Sequence, residues 1–197
     1  MTQTQESSKF GVGALTVLGL ILVVLSIALG ATLMKSVDAE PRSTHRTTTN
    51  SVEPTGAVPD GEYLDITKDA AHAAIARLDP QLKAALQGAT AAAAQDGVTI
   101  GITSGWRAEA YQAQLMEEEI DAIGAAEAKK LVADPSTSHH VTGHAVDIGP
   151  MSATDWLAQR GVEFGLCQIY ANESWHYELA TTPGGTCPPM KSDATES

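Results

Sequence analysis

Six histidines occur in the 197-residue chain, and four of them (His139, His140, His144 and His176) fall in its last third. They stand in two segments that also carry carboxylates. The first is Ser138-His139-His140-Val141-Thr142-Gly143-His144-Ala145-Val146-Asp147, and the second is Glu173-Ser174-Trp175-His176-Tyr177-Glu178. A lone His in a polar loop is ordinary surface chemistry, whereas two segments that each pair imidazole with carboxylate point to a metal. His140 and His144 have the i, i+4 spacing of a helical zinc pair. The metalloprotease version needs Glu directly after the first His, where Val141 stands, and Gly143 weakens a helix. A strand over 144–148 fits better, with Val146 and Ile148 facing the core and Ala145 and Asp147 the opposite side. On a second strand His176 and Glu178 share one face, and Trp175 and Tyr177 the other. Two adjacent strands presenting Asp147 and His176, with His140 reaching in from the preceding turn, make a His-Asp-His set. Three protein ligands and a fourth position for water is the pattern of a catalytic zinc site, one ion per domain. Zinc suits this donor set better than calcium, and without cysteine ligands an iron–sulfur cluster is excluded. Glu173, three residues before His176, is placed to take a proton from an attacking water, unless it is a plain loop glutamate. Glu178 is either an outer hydrogen-bond partner of a ligand His or a solvated strand residue.

Ser138-x-His140-x-x-Gly143-x-Ala145-x-Asp147, followed by Glu173-x-Trp175-His176-x-Glu178, resembles the VanY-type D-alanyl-D-alanine carboxypeptidase family, zinc peptidases of peptidoglycan. Ser104-Gly105-Trp106-Arg107, with Gln112 five residues after the Arg, is similar to that family's S-G-[YW]-R…Q segment. The resemblance spans about residues 98–190. It implies that His140, Asp147 and His176 bind zinc and that Glu173 is the general base. Arg107 would stabilise the developing oxyanion or hold a substrate carboxylate, with Ser138 and Gln112 as further substrate contacts. The implied reaction is release of terminal D-Ala from the D-Ala-D-Ala end of a peptidoglycan stem peptide. The same site would serve an L,D-carboxypeptidase, a dipeptidase or a cross-link endopeptidase, since pocket loops decide the bond. A non-catalytic wall-binding domain on the same fold is the alternative of another class, and the presence of both Glu173 and Arg107 argues against it. Arg107 at a helix start is unusual for a cation, because the N-terminal dipole end disfavours it, and an anionic partner would explain it. His144 departs from the family pattern, and with His139 it leaves spare imidazoles that could compete for metal or bind a second ion.

The elements that must position these residues read as α+β, a small antiparallel sheet packed with helices and carrying the zinc site. Helices are predicted over 70–78 and 79–94, the second with Asp79 as cap and Pro80 in its first turn. Val98 to Thr103 reads as a strand by β-branched enrichment. Further helices are predicted over 107–123, with Glu117-Glu118-Glu119 on a solvated acidic face, over 125–132, and over 153–160. The two late strands are 144–148 and 175–179.

Lys+Arg 12 against Asp+Glu 24 gives a net charge of −12, which excludes nucleic acid as a partner. No protein partner is implied. Phe10 to Met34 is free of charged residues and long enough to cross a bilayer at about 1.5 Å per residue, longer than the ~7–15 apolar residues of a signal peptide. It is expected to be a single transmembrane helix after a nine-residue tail (residues 1–9), with a cleaved secretion signal as the alternative. The Ser/Thr/Pro-rich stretch 35–59 is expected to be a linker, 60–187 the catalytic domain and 188–197 a loose tail. A catalytic domain outside the cell membrane is the expected topology. The basic residues around the span mildly favour the reverse, but Cys167 and Cys187 are well placed for a disulfide that only an oxidising compartment would keep. A bridge between them closes a loop of about 20 residues, worth roughly 3 kcal/mol, and would pin the strand carrying His176. Two buried free thiols are the alternative.

Overall fold

The computed structural model of the chain describes residues 54–196. The expected transmembrane helix at 10–34 and most of the expected linker lie outside the described residues. Among the described residues no helix is long and apolar enough to cross a membrane.

Asp79 accepts hydrogen bonds from the amides of Gln81 and Leu82 and starts α2 (Pro80–Gln95), with Pro80 in its first turn, as the sequence predicts. Leu82, Leu86, Ala89 and Ala93 recur on one face of α2 and are buried. They pack on Ile102, Val146, Ile148, Leu166 and Tyr177, which form the core with the sheet. The sheet is antiparallel with four strands: β1 (Gly101–Ser104), β2 (Ala145–Gly149), β3 (Leu166–Gln168) and β4 (His176–Leu179), in the order β1-β2-β4-β3. The fold is therefore α+β with a small antiparallel sheet. Helices α3 (Glu109–Ile123) and α4 (Ala125–Leu131) meet at Gly124, and α6 (Met151–Arg160) packs on β2 and β3.

Several boundaries differ from the reading above. The first helix, α1, spans only Ala73–Ala76, because the residues before it form turns and His72 caps it through Nδ1. Val98 belongs to no strand: its amide bonds to the carbonyl of Ala93 and closes α2 instead. Arg107 precedes α3 rather than opening it. Strand β3 is three residues long, too short to show alternation. Trp175 stands outside β4 and is 41% exposed rather than sharing the core face with Tyr177. Residues 188–196 are held to the domain and are not a loose tail. Lys191 exchanges backbone hydrogen bonds with Ile169 and Ala171, and Ala194 is buried.

A single helical turn, α5 (His139–Thr142), connects to β2 through Gly143 at φ 76°. A Cβ there would lie 2.4 Å from the carbonyl oxygen of Arg77, so only glycine fits both the left-handed turn and the close approach. In β1 the register slips between Ile102 and Ser104, a bulge that sets Ser104 opposite Asp147.

Candidate metal centre

Asp147 of β2 and His176 of β4 are direct register partners, and α5 brings His140 over them. His140 Nε2 and His176 Nδ1 each lie 3.4 Å from Asp147 Oδ1. One donor atom from each of the three residues falls within 4.8 Å of the others, and all three side chains are buried. The imidazoles are oriented from behind. His140 Nδ1 donates to the carbonyl of Gly105 at 2.8 Å, which turns Nε2 into the site. His176 Nε2 donates to Glu178 Oε1 at 2.9 Å, which turns Nδ1 inward. Tyr170 packs on the His176 ring at 4.9 Å between centroids. Asp147 divides its oxygens: Oδ2 accepts from Arg107 Nη2 at 2.6 Å, while buried Oδ1 has no hydrogen-bond partner. Two imidazole nitrogens and an orphaned carboxylate oxygen converging on one point fit a divalent cation, and each ligand's outer atom is already anchored.

The surrounding charges are strongly perturbed. Burial opposes ionisation of Asp147, but His140, His176 and Arg107 outweigh it and hold its carboxyl well below the usual range. Burial, with the Arg107 charge added, pulls the His140 imidazole down. Burial also opposes the charged form of His176, yet Asp147 and Glu178 overcome it and raise this group to about 9. Glu178 is held at about 2 against burial by His139 and His176.

Glu173 is 4% exposed and beside the cluster, its Oε2 3.6 Å from His176 Nδ1 and its Oε1 without a partner. Burial pushes its carboxyl up to about 7. Arg107 donates from Nε to Ser104 Oγ, from Nη1 to Gln112 Oε1 and from Nη2 to Asp147, leaving two of its five N–H groups uncommitted. The anionic partner expected for it is thus Asp147 itself. Gln112 is spoken for at both ends, since Nε2 donates to the Ala133 carbonyl, so it fixes Arg107 rather than pointing free into the cleft. Ser138 Oγ is buried on the cleft wall and unpartnered.

Arg107, Gln112, Ser138, His140, Asp147, Glu173 and His176 therefore line one cleft of about 250 Å³, whereas His144 and Glu178 do not. Cys167 and Cys187 are joined in a disulfide with Cα atoms 5.7 Å apart. His144 turns away, exposed and bonded to Thr142 Oγ1, and His139 Nδ1 donates to Glu178 Oε2 at 2.7 Å. Neither spare imidazole joins the cluster. Sequence reasoning missed Tyr170, Trp175 and Ala194 as cleft residues. The pattern Glu173-x-Trp175 was the only signal for Trp175, and Ala194 carried none.

A family model described as VanY, D-alanyl-D-alanine carboxypeptidase, matches residues 75–182. A D-alanyl-D-alanine carboxypeptidase of Enterococcus faecalis (strain ATCC 700802 / V583) is 33% identical over 136 residues, covering 56% of this chain and 51% of that protein. The chain thus spans about half the length of this curated relative. A solved vancomycin-resistance D,D-pentapeptidase VanY, a mutant in complex with Zn(II), is 30% identical with a TM-score of 0.48. That match covers 51% of this chain and 71% of the other. The LdcB LD-carboxypeptidase is 23% identical with a TM-score of 0.47, over 54% of this chain and 60% of that one. With more than half of its residues inside the family match and the motif residues gathered in one cleft, the chain belongs to the VanY D-alanyl-D-alanine carboxypeptidase family.

Proposed function

We propose that this protein is a zinc-dependent carboxypeptidase acting on peptidoglycan stem peptides, releasing the terminal D-Ala of D-Ala-D-Ala ends. The observation that carries this reading is the convergence of His140, Asp147 and His176 beside a buried carboxyl, Glu173, whose Oε1 has no partner. His140 Nε2, Asp147 Oδ1 and His176 Nδ1 would hold the ion. When bound, zinc supplies Lewis-acid polarisation and acidifies an attacking water. Glu173 would take a proton from an attacking water on its unpaired Oε1. The carboxyl that accepts this proton would then return it to the leaving amine. Arg107, immobilised by Ser104, Gln112 and Asp147, offers its remaining N–H groups to substrate oxygen, at the developing oxyanion or the terminal carboxylate. Ser138 Oγ gives the substrate a further contact, and Gln112 acts through Arg107. The Phe10–Met34 stretch anchors the domain, which works outside the cell membrane, and the Cys167–Cys187 disulfide supports an oxidising location.

The test is D-Ala release from a synthetic pentapeptide ending in D-Ala-D-Ala, alongside the tetrapeptide ending in one D-Ala. Release from the pentapeptide, lost on chelation and regained with zinc, is expected. Exclusive action on the tetrapeptide would overturn the bond assignment. Glu173→Gln is expected to retain zinc and lose turnover by about a hundredfold or more. Near-parent turnover in that variant would remove the base from Glu173.

A further inference from the structure

The chain after Cys187 lies past residue 182, where the family match ends, yet it walls the cleft. Its root is fixed by the Cys167–Cys187 disulfide. Its middle is held by backbone hydrogen bonds, from the Lys191 amide to the Ile169 carbonyl at 2.8 Å and from the Ala171 amide to the Lys191 carbonyl at 2.9 Å. Between those two partners stands Tyr170, which lines the cleft and packs on the His176 ring. Lys191 Nζ lies 5.8 Å from the centre of the Tyr170 ring. The tip is a short 3-10 turn, Ala194–Glu196, in contact with α4. It is fastened internally, since Asp193 accepts from the Thr195 amide and hydroxyl and the Ser192 amide donates to Glu196. A segment anchored at root, middle and tip is a strap.

Ala194, 4% exposed, is the strap residue that lines the cleft. With Val132, which caps the end of α4, it also borders a second depression of about 260 Å³. The wall at this point is therefore a single layer of side chains with open space behind it, not the hydrophobic core. The width of the cleft there depends on where the strap sits and on the size of residue 194. We propose that the strap, residues 188–196, is a specificity-determining wall in which Ala194 limits the bulk of the substrate side chain beside Tyr170. The inference rests on the peptidase reading above and adds the element that restricts its substrates. A wall held this firmly cannot yield to a larger group, and one methylene too many in a fitted pocket changes recognition about 10- to 200-fold.

The test uses pentapeptides ending in D-Ala-D-Ala, D-Leu-D-Ala and D-Ala-D-Leu. Binding is measured by calorimetry on zinc-loaded Glu173→Gln protein, zinc content by elemental analysis, and D-Ala release on the active protein. At least one leucine peptide is expected to bind about tenfold or more weakly than the D-Ala-D-Ala peptide. In the same background Lys191→Pro removes the amide that holds the strap to Ile169, and is expected to bring that peptide within about threefold of D-Ala-D-Ala. Ala194→Leu leaves the strap anchored but thickens the wall, and is expected to weaken D-Ala-D-Ala binding about tenfold with zinc retained. Should Lys191→Pro fail to fold, Ala194→Leu decides alone. Equal binding of all three peptides by the parent, unchanged binding in either zinc-loaded variant, or loss of zinc in Ala194→Leu overturns the proposal and leaves D-Ala release standing. No binding of any peptide overturns the peptidase reading and the wall with it. A preference that follows the strap without D-Ala release upholds the wall and overturns the reaction instead.

Discussion

Glu178 is the residue whose role the sequence left most open, and its geometry resolves it. Its two oxygens bridge His176 Nε2 and His139 Nδ1 at 2.9 and 2.7 Å, so it sets the tautomer of His176 and is steadied from the far side by His139. Outer partners of this kind change metal affinity without touching the ion. Glu178→Ala is expected to weaken zinc binding about 10- to 100-fold by competition with a chromophoric chelator, and His139→Ala by less. Unchanged affinity in Glu178→Ala would mean that packing against Tyr170 alone orients His176. The metal set itself was legible because period-two alternation fixes which side of a strand each residue takes. Asp147 and His176 could be put on one face with no knowledge of the loops between them. What the sequence could not supply was the bond from Arg107 to Asp147, which joins residues 40 apart and depends on the bulge that aims Ser104.

Short connecting elements, more than the long ones, carry the precision of the site. Helix α2 was readable from its cap, proline and apolar spacing, whereas α5 and β3 are too short for any period to register. The tail after Cys187 looked loose because it is polar, yet backbone hydrogen bonds at Lys191 and burial of Ala194 make it part of the cleft wall. Gly143→Ala forces a side chain into a left-handed turn and against the Arg77 carbonyl, so a loss of more than about 1 kcal/mol is expected in thermal or denaturant unfolding. A variant as stable as the parent would show that α5 shifts freely. The disulfide encloses the segment that bears Glu173 and His176. Replacing both cysteines by serine is expected to cost about 3 kcal/mol of unfolding free energy for a loop of this length. The same double variant should bind zinc more weakly, read by the chelator competition above. A loss of stability with full zinc affinity would confine the bridge to a structural role.

At the scale of the whole molecule, acid–base balance and metal binding pull in opposite directions as pH rises. In chelated protein, His176 titrates at about 9 when folded, above its ordinary 6.5, so its contribution is complete below pH 6.5 and is lost as pH rises through 9. Glu173, raised to about 7 by burial, adds a loss of the same sign between about 4.5 and 7, because the fold favours its protonated form. Glu178, held at about 2, works the other way, and its contribution disappears only as pH falls below about 4.5 toward 2. His140, held below its ordinary 6.5 by burial, adds stability as pH rises to 6.5 and offsets Glu173 there, so chelated protein is expected to melt progressively lower from about pH 6.5 toward pH 9. Zinc must displace the proton on His176, so its affinity grows by up to about tenfold per pH unit for each proton released, and its stabilisation grows with it. Melting curves of chelated and zinc-loaded protein, taken from pH 5 to 9, are expected to diverge, with the gap widest at the alkaline end. A constant gap would show that no proton leaves the cluster when the ion enters. A gap that narrows with pH would place the ion on ligands other than His140, Asp147 and His176.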